Sequence, residues 1–297
     1  MSIEAKSLYI RVPAGYGDNL MATAVIAAIR RQRPGLRIFL STKRLDIFQN
    51  NPHIGALYNT RTLLKKNPSI YNRCTVLHYP PYSDIRQSEE KKHLIDYFYD
   101  CLPFPIEQRT YQMEIFLTQR DRNYRHRRLE RTKRPMVAIS PYGGATTKIQ
   151  NKFYPLEKWP MIVQGLTKAG ITVVQLGRKK EGSLLPSAED WREIGYRKSA
   201  ALLLHCDAMI THPSGFMHLA TALAVPCITL YGGVENPAIS GYTQNLNMTV
   251  SLDCAPCWLP QACEDPKCKE LLPPEKVVAA TVKLIESNTI KPTLLQK

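Results

Sequence analysis

The stretch Ser7-Leu8-Tyr9-Ile10-Arg11-Val12, followed by Pro13-Ala14-Gly15-Tyr16-Gly17-Asp18-Asn19, decides the fold. Six residues rich in apolar and β-favouring types read as a buried strand, and Pro13 to Asp18 reads as a glycine-bearing loop. A helix is expected from Asn19 to Arg33, with Leu20, Ala24, Ala27 and Ala28 on one face. Arg30, Arg31 and Arg33 in its last turn complement the negative end of the helix dipole. Pro34 and Gly35 stop it, and Arg37 to Ser41 reads as the next strand. Strand, loop, helix and strand at this length form a βαβ unit, hence a parallel sheet.

The same rhythm runs outward along the chain. Cys74 to His78 and Glu114 to Leu117 read as strands, with a helix around Lys91 to Cys101. After Arg134 the pattern resumes with strands at Val137–Ser140, Thr172–Gly177, Ala208–Thr211 and Cys227–Tyr231. Helices are expected at Leu156–Ala169, Ser199–Cys206, Gly215–Ala224 and Glu275–Glu286. The reading is α/β with two doubly wound domains, residues 1–134 and 135–297. Two such domains facing each other would place a ligand at the carboxyl ends of their strands. Between them, Gln119 to Arg134 carries eight basic residues against two acidic ones and no apolar periodicity. That strip reads either as a solvated connection or as a basic face for an anionic acceptor or a membrane.

Composition bounds the function. The chain has 297 residues, of which 44% are hydrophobic and 22% charged, so it carries ample material for a core. No apolar run approaches the ~18 residues of a spanning helix. Met1 to Lys6 has no long apolar stretch of the signal-peptide kind, so the expectation is a cytoplasmic protein. Forty Lys+Arg against 25 Asp+Glu give a net charge of +15, which attracts nucleic acid, anionic lipid surfaces or phosphorylated substrates. A nucleic-acid binder would interleave stacking aromatics with its basic residues. The basic run from Arg125 to Arg134 has only Tyr124 at its edge, so no nucleic-acid partner is expected.

Three stretches hold groups suited to chemistry. Gly15 and Gly17 form a backbone loop before Asp18, which reads either as a helix cap or as a general base for a substrate hydroxyl. Gly143-Gly144-Ala145-Thr146-Thr147-Lys148, then Asn151-Lys152-Phe153-Tyr154-Pro155, offers backbone amides, two hydroxyls and two ammonium groups, the donors a diphosphate requires. The order GxxxxGK[ST] is absent, so this is not a P-loop. In His212-Pro213-Ser214-Gly215-Phe216-Met217-His218, a strand ends and a helix begins, and a helix N-terminus is an anion site. His218 reads either as a ligand-facing residue or as a structural one.

A fourth stretch carries Cys254, Cys257, Cys263 and Cys268, with Trp258 beside them. Four thiols at that spacing can close around a tetrahedral Zn or Fe, and reduced thiols or a disulfide are the alternatives. Cys74, Cys101, Cys206 and Cys227 sit in apolar elements and read as core.

Taken in order, these stretches resemble glycosyltransferase family 9, the lipopolysaccharide heptosyltransferase-like enzymes, over nearly the whole chain. Arg11 to Asn19 is similar to the family's opening. Thr146-Thr147 with Lys152-Phe153-Tyr154-Pro155 is similar to its phosphate loop, here with one extra residue and Tyr154 for Trp. Ser214-Gly215-Phe216-Met217-His218-Leu219-Ala220 is similar to its donor motif. The resemblance implies a GT-B fold of two facing Rossmann-like domains and an inverting transfer from a nucleotide-sugar donor, ADP-heptose as the first choice. The implied acceptor is an anionic glycan or glycolipid such as lipopolysaccharide core, met at the inner face of the inner membrane by a peripheral protein. Asp18 is then the base, and Thr146, Thr147, Lys152, Ser214, Gly215, Phe216, Met217 and His218 bind the donor. No catalytic metal is implied, because these groups neutralise the departing diphosphate. One position departs from the pattern: Pro213 stands where the family has Asp near the donor sugar. Some autotransporter-modifying heptosyltransferases also have Pro-Ser-Gly there, together with a cysteine-held iron. A protein acceptor is therefore the alternative, and a sugar-binding relative without catalysis is a further one.

Overall fold

A computed structural model describes residues 7–13, 15–124, 129–142, 152–259 and 263–289. The chain divides into two compact units, Met1–Arg122 and Asn123–Lys297.

In the first unit, β1 (Ser7–Val12) pairs in parallel with β2 (Arg37–Thr42) on one side and β4 (Thr75–Val76) on the other. β3 (Ala56–Asn59) extends the sheet beyond β2, giving the order β3-β2-β1-β4. The helix Tyr16–Gln32 begins three residues earlier than its sequence suggests, so Gly17 and Asp18 lie in its first turn rather than in a loop. Every residue from Asn19 to Ile29 on it is buried. A helix covered on all sides needs apolar residues all round, and the run of Ala, Leu, Met, Val and Ile supplies them. Its two buried polar side chains are satisfied. Asn19 donates to Gly15 O at 2.6 Å and accepts from Thr42 Oγ1 at 2.5 Å, while Thr23 accepts the Glu114 amide at 2.8 Å. Glu114–Leu117, expected as a strand, is not one, and its first amide is bound by this helix instead of by a neighbouring strand.

The second unit holds β5 (Met136–Ser140), β6 (Thr172–Gln175), β7 (Glu189–Asp190), β8 (Ala208–Thr211), β9 (Cys227–Leu230) and β10 (Leu246–Met248). All pairs are parallel, in the order β10-β9-β8-β5-β6-β7. β5, β8 and β9 are buried at every position, as central parallel strands covered on both faces must be. One layer of the core joins Trp159, Ile162, Val163 and Leu166 of the helix Trp159–Lys168 to Val277 and Ile285 of the helix Pro274–Thr289. Gly165 permits that approach: a Cβ there would stand 2.7 Å from Val278 Cγ2. Burial of each such aliphatic side chain contributes about 1.5–3 kcal/mol. Among the described residues no helix is long and apolar enough to cross a membrane.

Candidate functional site

Strand order locates a ligand site in the second unit. From β5 the chain moves to one side through β6 and β7, then returns to β8 on the other side of β5. The carboxyl ends of β5 and β8 therefore flank a topological switch point, where open parallel sheets bind ligands. Pro141 follows β5 directly and the chain is described again from Lys152, while the turn His212-Pro213-Ser214 leaves from β8. Thr146 and Thr147, with Lys148, fall outside the described residues.

His212 ties the two together. Its Nδ1 accepts the Tyr154 amide at 3.1 Å, and its Nε2 hydrogen donates to Pro141 O at 2.8 Å, which fixes the tautomer. One imidazole thus staples Pro141, just after β5, to Tyr154. The rings of Phe153 and Trp159 wall it in at 5.1 and 5.4 Å. Complete burial holds its pKa down to about 4, and the Lys152 charge acts in the same direction. The histidine is neutral at physiological pH. Tyr154, where the family pattern has Trp, is buried as well and donates from its hydroxyl to Leu272 O at 2.9 Å.

Lys152 reaches inward. Its Nζ lies 2.7 Å from Glu235 Oε1, with only 16% of the lysine side chain and 1% of the glutamate exposed. Both charges act on the buried Tyr231 phenol, whose hydroxyl is 3.8 Å from Met217 Sδ.

Ser214 stands at the N-cap position of the helix Gly215–Ala222 without a side-chain capping bond, and its Oγ lies 3.1 Å from Thr211 Oγ1. The amides of Gly215, Phe216 and Met217 precede the helix's own first bond, His218 N–H to Ser214 O. The side chains at this end are occupied by packing. Met217 is fully buried, and Phe216 lies 5.8 Å from the Tyr196 ring, whose hydroxyl donates to Gly215 O at 2.7 Å. His218 is 6% exposed and its Nδ1 lies 2.7 Å from the Tyr242 hydroxyl. This helix start thus offers mainly backbone amides, flanked by the half-buried Tyr196 and Phe216 and the buried His218 and Tyr242.

In the first unit, Gly15 is the N-cap, in extended conformation, and its amide donates to Asp18 Oδ2 at 3.0 Å. Asp18 is half-buried at the third helical position. A carboxylate folded back on the cap amide stabilises a helix start, so its capping role is visible. Arg44 stacks on the neighbouring Tyr16 ring at 4.2 Å.

The eight cysteines are thiols, none joined in a disulfide. Cys206 and Cys227 are buried in the core, and burial pushes both thiols up to about 12. Cys74 and Cys101 are only half-buried, so they are less of the core than their apolar neighbours suggest. In the four-cysteine stretch, Cys257 and Cys268 converge on Gly233. A Cβ on that glycine would stand 2.9 Å from Cys268 Sγ and 3.8 Å from Cys257 Sγ. Cys254 is exposed, and among the described residues no three His, Cys, Asp or Glu come together as metal ligands. The described geometry gives two converging thiols and not a tetrahedral set.

The family model for glycosyltransferase family 9 (heptosyltransferase) matches residues 93–267, more than half of the chain. Among solved structures, a glycosyl transferase family 9 protein from Veillonella parvula is similar with a TM-score of 0.72 at 16% identity, over 97% of this chain and 99% of that one. The ADP-heptose lipopolysaccharide heptosyltransferase II of E. coli gives a TM-score of 0.67 at 15% identity, over 95% and 99%. The iron-containing dodecameric glycosyltransferase TibC of enterotoxigenic E. coli gives 0.73 at 16%, over 97% and 78%. These likenesses show a shared fold, the two-sheet parallel α/β architecture expected of GT-B. No curated protein matches the chain at the level of sequence.

Proposed function

The chain belongs to glycosyltransferase family 9 (heptosyltransferase), and from that premise we propose that it transfers a heptose from ADP-heptose to a glycan acceptor such as lipopolysaccharide core. The observation that carries the reading is the bond from the Tyr154 amide, two residues beyond Lys152, to His212, three residues before the helix that starts at Gly215, with His212 also bound to Pro141 just after β5. A donor diphosphate needs that combination of one ammonium and several backbone amides. The ADP-heptose named for the E. coli relative is in keeping with the choice of donor.

In an inverting transfer the acceptor oxygen attacks the anomeric carbon, and the bond from that carbon to the diphosphate oxygen breaks. The acceptor proton passes to a base, for which Asp18 is our assignment. Negative charge then grows on the diphosphate, where Lys152, the amides of Gly215 and Phe216, and the hydroxyls of Thr146 and Thr147 would stabilise it. A net charge of +15 favours an anionic glycan or glycolipid acceptor, reached by peripheral contact with the inner face of the inner membrane. Pro213-Ser214-Gly215 favours a second reading, a protein acceptor of the autotransporter kind.

The donor class is tested by a thermal-shift panel of ADP-, UDP-, GDP- and CDP-sugars. We expect stabilisation by the ADP-sugar, and silence across all four would return the chain to a binding protein without transferase chemistry. Lys152→Ala is expected to weaken donor binding by roughly 10- to 150-fold, the ratio for losing a charge-assisted contact of about 1.5–3 kcal/mol. Unchanged affinity and turnover would transfer the diphosphate to another cation, Lys148 first.

For the cysteine stretch we infer a structural Zn or Fe held by Cys254, Cys257, Cys263 and Cys268, outside the chemistry of transfer. The convergence of two sulfurs on Gly233 supports it, and the incomplete set of ligands stands against it. Elemental analysis of protein purified without added metal is expected to give close to one ion per chain. A metal-free protein that is fully folded would end the idea.

A further inference from the structure

We propose that Glu235 is a positioning residue that holds the Lys152 ammonium where the donor diphosphate is bound, an inference that rests on Lys152 gripping that diphosphate. A lysine side chain is a point charge on a flexible four-carbon stem, so an isolated one spreads its ammonium over many positions. Here Nζ is 2.7 Å from a carboxylate that is 1% exposed. A buried carboxylate without a cation is strongly disfavoured, so the pairing constrains both partners.

The backbone beneath Glu235 is itself fixed. Val234 is fully buried and its carbonyl accepts the Trp258 amide at 3.1 Å, while Gly233 O accepts the Cys257 amide at 2.7 Å. Gly233 has no room for a side chain against Cys268 Sγ. The carboxylate therefore stands on a rigid turn, and it is the lysine that is placed by it.

A merely structural ion pair would change stability and leave donor affinity alone, so the test is a double-mutant cycle read in affinity. The probe is whichever of ADP, UDP, GDP and CDP raises the melting temperature of the wild type most. It is titrated calorimetrically into wild type, Glu235→Gln, Lys152→Ala and the double variant. We expect Glu235→Gln to weaken binding about tenfold in the wild-type background and less than about twofold in the Lys152→Ala background, because the residue it positions is then gone. Equal losses in both backgrounds, or wild-type affinity for Glu235→Gln, would overturn the inference while leaving the Lys152 reading intact. Wild-type affinity for Lys152→Ala, or a wild type that binds none of the four probes, would overturn the reading and the inference together. If Glu235→Gln does not fold, Glu235→Asp carries the same cycle: it keeps the charge, withdraws it by one methylene, and is expected to weaken binding severalfold in the presence of Lys152 only.

Discussion

Asp18→Asn is expected to lower turnover at least ~100-fold while donor binding stays intact, the scale of a lost general base. The substitution separates the two roles this carboxylate can play. Asp18 Oδ2 accepts the Gly15 amide at 3.0 Å, and an asparagine oxygen can accept the same bond. A capping residue would therefore lose little from the change, within about 1 kcal/mol of stability and with normal kinetics. A base loses its ability to take the acceptor proton, and no rearrangement of the cap restores it. Steady-state kinetics with saturating donor, beside the melting temperature of the variant, reads both. Turnover near that of the wild type would return Asp18 to the helix.

The second large effect is acid lability centred on His212. Its folded-state pKa of about 4 lies below the ordinary 6.5, so between these values the unfolded chain binds a proton that the native protein refuses. Stability therefore rises with pH across that window and is flat above it as far as this group is concerned. Acidification from pH 7 to 4 is expected to remove about 3 kcal/mol through His212 alone. The cause is burial, which disfavours the charged ring, and protonation would in addition break the bond the ring accepts from the Tyr154 amide. In His212→Gln the pH-dependent part should largely vanish, and the variant should be less stable than the wild type at pH 7. Denaturant unfolding at pH 7 and at pH 4.5 checks this, and parallel pH slopes in the two proteins would refute it.

Much of the architecture was legible because central parallel strands are continuous apolar runs. β1 and β8 carry the boundaries that their sequences suggest, Ser7–Val12 and Ala208–Thr211. The misreadings have local causes. Gly15-Tyr16-Gly17 looks like a loop, yet Gly17 is helical because burial of the next two turns outweighs its poor propensity. The helix expected from Leu156 starts at Trp159 instead, with Pro160 in its first turn and a tighter turn, Leu156–Lys158, before it.

The site was half legible. Lys152 and Ser214-Gly215 stand in recognisable spacing, whereas His212, Glu235 and Tyr242 owe their roles to partners far away in sequence: Pro141, Lys152 and His218. Nothing in the turn Gly232-Gly233-Val234-Glu235 announces a buried carboxylate. Only its juxtaposition with the lysine does.

The strand order also dictates when the anion site comes into being as the chain folds. β5 and β8 are neighbours, with Val137 opposite Ala208, yet β6 and β7 lie between them in sequence and on the other side of β5 in space. Closing a loop of that length costs entropy before any of the pairing can reward it. The stretch after β5 and the turn after β8 thus come together only when β8 docks beside β5, and the His212 bond to Pro141 needs that pairing. Under the proposed assignment a nucleotide that needs both arms recognises only the finished unit, and such a donor would act on the folding equilibrium as a ligand of the native state, favouring it by mass action.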